Sequence, residues 1–237
     1  MPHLYDTIEP SVIDDEMLNE AVFEQGPKDE AGRLAEEEGI DFDEVQSLRL
    51  DYKNILKIDS LWEFTNLTKL QMDNNIIEKI EGLDKLVHLV WLDLSFNNIE
   101  VIEGLDTLTK LQDLTLFNNR ISSIENMDTL VNLEIFSIGN NDLRKLDNLI
   151  YLRRFPKLKT LNLKDNPFCE LEIYNLYTAA VLPNLVYLDY RLMDDELRKE
   201  GYDRFQIQVE ELLDNERKSL KAKTEEESKV KSVRRKL

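Results

Sequence analysis

The chain has 237 residues, one cysteine, two histidines and a formal net charge of −18. A lone cysteine excludes a disulfide framework, two histidines leave little for a metal centre, and no apolar run approaches the ~20 residues that cross a bilayer. The N-terminus lacks the basic-then-apolar order of a secretory signal, so a reducing, cytoplasmic setting is expected.

Residues 1–44 form an acidic first segment, with 15 Asp and Glu against 2 Lys and Arg. Ile13, Met17, Leu18, Ala21 and Val22 make one helical stripe, and Asp14 and Asp15 suit the start of that helix. Pro27 opens a second helical pattern through Ala31, Leu34 and Ala35 that Gly39 stops. Two readings are open: a helical N-terminal cap, or an extended acidic arm, because both stripes are narrow.

From Val45 the spacing changes. Val45, Leu67, Leu89, Leu111 and Leu133 stand 22 residues apart, and each opens the same frame, as in Leu67, Leu70, Met72, Asn75, Ile77, Ile80, Leu83 and Leu86. The next steps are 25 residues to Leu158 and 27 to Leu185. A fixed period of this length means stacked supersecondary units, a solenoid in which no unit buries its apolar face alone. Each unit begins with an alternating stretch such as Leu92-Asp93-Leu94, which predicts a short half-buried strand. After the Asn the spacing of three predicts a 3₁₀ or short helical return on the convex side. Strand plus helical return makes an α/β leucine-rich repeat solenoid of the 22-residue, Sds22-like type.

Asn75, Asn97, Asn119, Asn141 and Asn166 occupy one position per unit, where an amide that donates and accepts can satisfy the backbone of a sharp buried turn. Asn98, beside one of them, is expected to be exposed and replaceable. The first unit has Lys53 there, as befits a terminal repeat with no earlier repeat to brace. Ile173, Tyr174, Leu176, Tyr177, Ala180 and Val181 are helically spaced and precede a last strand over 185–189, the outline of a C-terminal leucine-rich repeat cap. The repeat domain is thus 45–190. Tyr190-Arg191-Leu192 departs from the small residues usual after such a cap. The segment 191–237 reads as a charged helix with a sparse seam (Phe205, Val209, Leu212, Leu213, Leu220), the beginning of a coiled-coil-like pattern. Its last part, 216–237, holds 9 basic against 4 acidic residues.

No catalytic constellation is present: His3 and His88 have no Cys or His at metal spacing, no glycine-rich phosphate loop occurs, and no cofactor is expected. Cys169 reads as a small buried apolar residue. Chemistry therefore lies in surfaces. Aligning the units places Ser47, Lys69, Trp91, Asp113, Ile135, Thr160 and Tyr187 in one outward column of the concave face. Arg49, Gln71, Asp93, Thr115, Ser137, Asn162 and Asp189 form a second, and Asp51, Asp73, Ser95, Phe117, Gly139 and Lys164 a third. Trp91, Phe117 and Ile135, from consecutive strands, are expected to lie close together, with Phe96 at the rim in the position of Asn74 and Asn118. The candidate partner-binding residues are Tyr52, Trp91, Asp93, Phe96, Asp113, Phe117, Ile135 and Tyr187: exposed aromatics with acids around them suit a basic segment carrying apolar anchors. A simpler alternative is that Trp91 and Phe117 only shield the strand ladder.

Three stretches carry a closer resemblance: Val12-Ile13-Asp14-Asp15-Glu16-Met17-Leu18, Leu48-Arg49-Leu50-Asp51-Tyr52-Lys53-Asn54-Ile55 and Leu92-Asp93-Leu94-Ser95-Phe96-Asn97-Asn98-Ile99. Over residues 1 to about 215 the chain resembles the leucine-rich repeat subunits of the nexin–dynein regulatory complex of motile cilia. The resemblance implies a non-catalytic scaffold in the cytoskeleton of the ciliary or flagellar axoneme. Its implied partners are other, coiled-coil subunits of that complex, with inner-arm dyneins and doublet microtubules as neighbours. Nucleic acid and membrane are not expected partners of so acidic a chain. Family members continue into a long coiled coil, and ending at Leu237 implies a shortened form. The rival is an Sds22-like regulatory adaptor of a protein phosphatase, which shares the repeat length and the cap; a spliceosomal partner fits the repeat but not the charge.

Overall fold

In the computed structural model, which describes residues 9–26, 39 and 41–234, the strands lie in one sheet in chain order. They are β1 (Ser47–Arg49), β2 (Lys69–Gln71), β3 (Trp91–Asp93), β4 (Asp113–Thr115), β5 (Ile135–Ser137), β6 (Thr160–Asn162), β7 (Tyr187–Leu188) and β8 (Arg191–Leu192). The first seven are parallel, and Leu48, Leu70, Leu92, Leu114, Phe136, Leu161 and Leu188 stand side by side as the buried middle row. Period two then sends the flanking residues to the concave face, in the columns the alignment predicts. The backbone ladder continues past each strand: Leu50 N–H donates to Gln71 O and Met72 N–H to Asp93 O, both at 2.8 Å.

The returns differ from expectation. In the 22-residue units they are single turns (Leu86 N–H to Leu83 O, Leu89 N–H to Leu86 O), with no 3₁₀ run. Helix appears where a unit is longer: α2 (Asp147–Tyr151) and a 3₁₀ turn over Leu152–Arg154 in the 25-residue step, then a 3₁₀ turn over Pro167–Glu170 and α3 (Tyr174–Val181) in the 27-residue step. A short unit has no residues to spare beyond its three inward anchors. Gly82 and Gly104 show how tight the stack is: both have left-handed backbone, and a Cβ on either would sit 2.5 or 2.3 Å from the carbonyl oxygen of Ile58 or Ile80 in the preceding return.

At the N-terminal end Asp14 caps α1 (Asp15–Gln25), accepting from Met17 N–H at 2.9 Å. The helix buries Leu18, Ala21 and Val22, with Ile13 before it, against the first repeat. Ser11 pairs with Ile55 as a parallel bridge, and Lys53, standing where later units have Asn, reaches Glu20 at 3.1 Å. The predicted second helix falls on residues that, apart from Gly39, lie outside those described.

The C-terminal end closes by reversal. Asp189 and Tyr190, with φ of 48° and 65°, form a two-residue turn that folds β8 back antiparallel on β7, so the expected strand over 185–189 is cut to Tyr187–Leu188. The Asp189 carboxylate accepts from Leu163 N–H (2.8 Å) and from the Tyr174 hydroxyl (2.9 Å), standing in for the strand that would come next. α4 (Asp195–Arg234) then crosses α3 at Gly201, where a Cβ would meet Leu176 O at 2.5 Å. It bends at Phe205, which packs with Val209 on Ala180 and Tyr177. Arg153 clamps Glu216 through two hydrogen bonds, which hold that carboxyl below the usual range, so the charged helix is part of the cap at least that far.

Candidate partner-binding surface

The rim of the concave face is set by the asparagines. Each side-chain oxygen accepts from a backbone N–H of the preceding unit, for example Ile77 to Asn97 at 2.9 Å and Ile99 to Asn119 at 3.0 Å. Each amide NH₂ donates back: Asn97 reaches Met72 O, Leu94 O and Ser95 O. Asn75, Asn141 and Asn166 repeat the pattern, and all five are buried. These five units therefore turn at the same place with the same bonds.

One residue before each of these asparagines, and before Lys53 in the first unit, the chain is left-handed: Tyr52, Asn74, Phe96, Asn118, Asn140 and Asp165 have φ between 51° and 64°. Asn and Asp adopt this backbone readily because their short side chains bond locally; bulky residues do so at a cost. Tyr52 and Phe96 nevertheless occupy it, with side chains 73% and 45% exposed.

The candidate residues fall into two groups. Trp91, half-buried, has the Lys69 ammonium 4.5 Å from its ring centre and pairs in register with Asp113, which pairs in turn with Ile135. Phe96 and Phe117 form a second group, edge to face with ring centres 5.6 Å apart. Gly139 makes room for it: a Cβ there would stand 3.0 Å from the Phe117 ring. Phe117 lies four residues along from the row of Trp91, about 13 Å at 3.3 Å per residue, so the single cluster expected of Trp91, Phe117 and Ile135 is divided along the strand direction. Tyr52 stands at the first repeat and Tyr187 at the last parallel strand, apart from both groups. Asn98 is half-buried rather than exposed.

Acids run between the groups. Burial, and after it the neighbouring Asp73 and Asp51, push the Asp93 carboxyl up against hydrogen bonds from Ser95 N–H (2.9 Å) and Ser95 Oγ (2.6 Å) that pull it down. Burial and then Asp93 push Asp113 up as well. Asp73 is held by Gln71 and Asn74. Only Asp51 is drawn well down, by its two hydrogen bonds from Arg49. The hydrogen-bond donors on Asp73 and Asp93 are thus neutral, and Arg49, bonded to Asp51, acts on Asp73 only through space.

Among the described residues no group of three His, Cys, Asp or Glu is placed to hold a metal ion, and no helix is long and apolar enough to span a membrane. The Cys169 thiol donates to Leu163 O and burial pushes its pKa to about 11, so it stays protonated. Sequence reasoning missed the left-handed backbone of Tyr52 and Phe96; the signal was the Asn and Asp filling the rest of that column.

The sequence model of a family described as leucine-rich repeat matches residues 88–216. Dynein regulatory complex subunit 3 of Mus musculus is 66% identical over 227 residues, covering 96% of this chain and 43% of that protein. The Homo sapiens protein of the same name is 68% identical over 210 residues, covering 89% of this chain and 40% of that protein. The chain therefore spans about two fifths of the length of the curated relatives it matches. A crystal structure of an internalin from Listeria monocytogenes superposes with a TM-score of 0.53 at 22% identity, over 67% of this chain and 52% of that one, a likeness of fold alone.

Proposed function

From a chain that belongs to the leucine-rich repeat family and is so similar to dynein regulatory complex subunit 3, we propose a non-catalytic scaffold that takes part in regulating dynein-driven ciliary and flagellar motility. In this reading the solenoid is a docking module of the axonemal regulatory complex, and other subunits of that complex seat on it. The observation that carries it is identity of 66–68% across nearly the whole chain, flanking helices included, where a shared repeat alone would leave the flanks unmatched.

The geometry supports a mechanical role. Register-locked strands, a buried hydrogen-bond ladder and two covered ends make a stiff arc, and a stiff arc holds partners at fixed spacing. The phosphatase-adaptor reading has only the repeat length and cap in its favour.

The test is recovery of the tagged chain from ciliated cells. The expected result is axonemal localisation and stoichiometric recovery of coiled-coil regulatory-complex subunits, reduced about fivefold or more by Trp91→Ala. Absence from axonemes, or a phosphatase catalytic subunit as the sole stoichiometric partner, overturns the proposal.

A further inference from the structure

We infer that the rim of the hollow between Tyr52 and Phe96 is a seat for a basic amphipathic helix of another polypeptide, whose apolar residues seven apart rest on the two aromatic rings while its Lys or Arg face Asp73 and Asp93. The inference rests on the docking reading above and names the chemistry of the occupant.

Three observations carry it. The first is conformational. Four of six units fill the left-handed position with Asn or Asp, and two fill it with an exposed aromatic ring. Strain of this kind persists where something outside the local backbone makes use of it. Phe96 is moreover supported from behind, since Phe117 lies against it and Gly139 leaves the space that Phe117 needs. A ring held in position and left 45% exposed is a prepared contact surface.

The second is spacing. Tyr52 and Phe96 are two strands apart, about 10 Å at 4.8 Å per strand, and helix residues seven apart are separated by about 10.5 Å along the axis. A helix lying across the strands along the rim presents successive anchors at that interval, with the intervening turn over Asn74.

The third is charge. Asp73 adjoins Asn74, which stands between the rings, and Asp93 lies three residues before Phe96; both are hydrogen-bonded by neutral donors, and Arg49, itself bonded to Asp51, reaches Asp73 only through space, so a cationic partner complements them. Acids and apolar anchors together select a basic amphipathic helix over an acidic or purely apolar one.

The test replaces Phe96 by the photoreactive analogue p-benzoylphenylalanine, which keeps the ring, in the full chain co-expressed with its partner subunits. Val131, exposed in the turn that precedes β5, is the control position. The expected result is an ultraviolet-dependent crosslink from position 96 to one segment of another subunit that carries more Lys and Arg than Asp and Glu and apolar residues at seven-residue spacing. The same crosslink is expected to fall at least fivefold when Asp73→Asn and Asp93→Asn are combined with it. A chain that enters the complex but yields no crosslink at 96, or crosslinks there to a second copy of itself or to an acidic segment, overturns the seat while leaving the scaffold reading standing. A chain excluded from the complex overturns both.

Discussion

Two columns of residues run side by side along this solenoid and have been put to opposite uses. Asn75, Asn97, Asn119, Asn141 and Asn166 face inward, are chemically identical and make the same bonds in every unit. The residues just before them, with Tyr52 before Lys53 in the first unit, share a backbone conformation yet vary from Asn and Asp to Phe and Tyr, and their side chains reach the surface to differing extents. Identity is needed where a side chain replaces backbone hydrogen bonds that water cannot reach; where the backbone is already fixed by its neighbour, the side chain is free to serve something else. A repeat protein can thus keep its architecture in one column and vary its surface in the next, less than 4 Å of backbone away.

The widest separation between the columns is expected from Asn97→Ala, which strands the Ile77 N–H and leaves three carbonyls short of a donor. A loss of about 2–3 kcal/mol in urea unfolding is expected, against less than about 0.5 kcal/mol for Asn98→Ala, whose own bond to Ile77 O is made by the backbone. Equal losses would dissolve the distinction. The outer column is expected to respond in the opposite direction: Tyr52→Asn relieves a left-handed tyrosine that is 73% exposed and should gain about 0.5 kcal/mol in the same measurement. A loss there would mean that the ring is packing after all.

The smallest effect is electrostatic. Asp93 has a folded pKa raised by burial, so the folded state holds its proton more tightly than the unfolded chain does. Its contribution to stability is therefore most favourable below the ordinary carboxylate value and declines as pH rises through the window between that value and the raised one. Asp93→Asn is expected to gain a few tenths of a kcal/mol at pH 7, after allowance for solvent screening, and nothing near pH 3. Thermal unfolding of the two proteins across pH checks this. A gain that grows on acidification would reverse the assignment.

The strand register and the ladder were legible because both follow from counting: a leucine every second residue, an asparagine every 22. Which column holds Trp91 and which holds Phe117 was also countable. Their separation was present in the columns too, four residues along the strand, but adjacency between strands alone does not reveal it. The left-handed column was written in Asn74, Asn118, Asn140 and Asp165, but at Phe96 and Tyr52 propensity yields to the geometry that the inner asparagines impose. The returns were overestimated as helical because three-residue spacing fits a chain of separate turns as well as a 3₁₀ run. The reversal at Asp189 and Tyr190 escaped notice because a tyrosine in a left-handed turn carries no sequence signal for a hairpin.

That reversal has a consequence for size. A stack of parallel strands can grow by one more copy wherever its edge still presents the same direction, and an open edge also invites a neighbouring molecule to add itself. With β8 running the other way and the Asp189 carboxylate occupying the Leu163 N–H, a further parallel unit finds no matching edge at this end. The hollow is a ruler of set length, and the distance it measures can change only by inserting a whole unit into its middle.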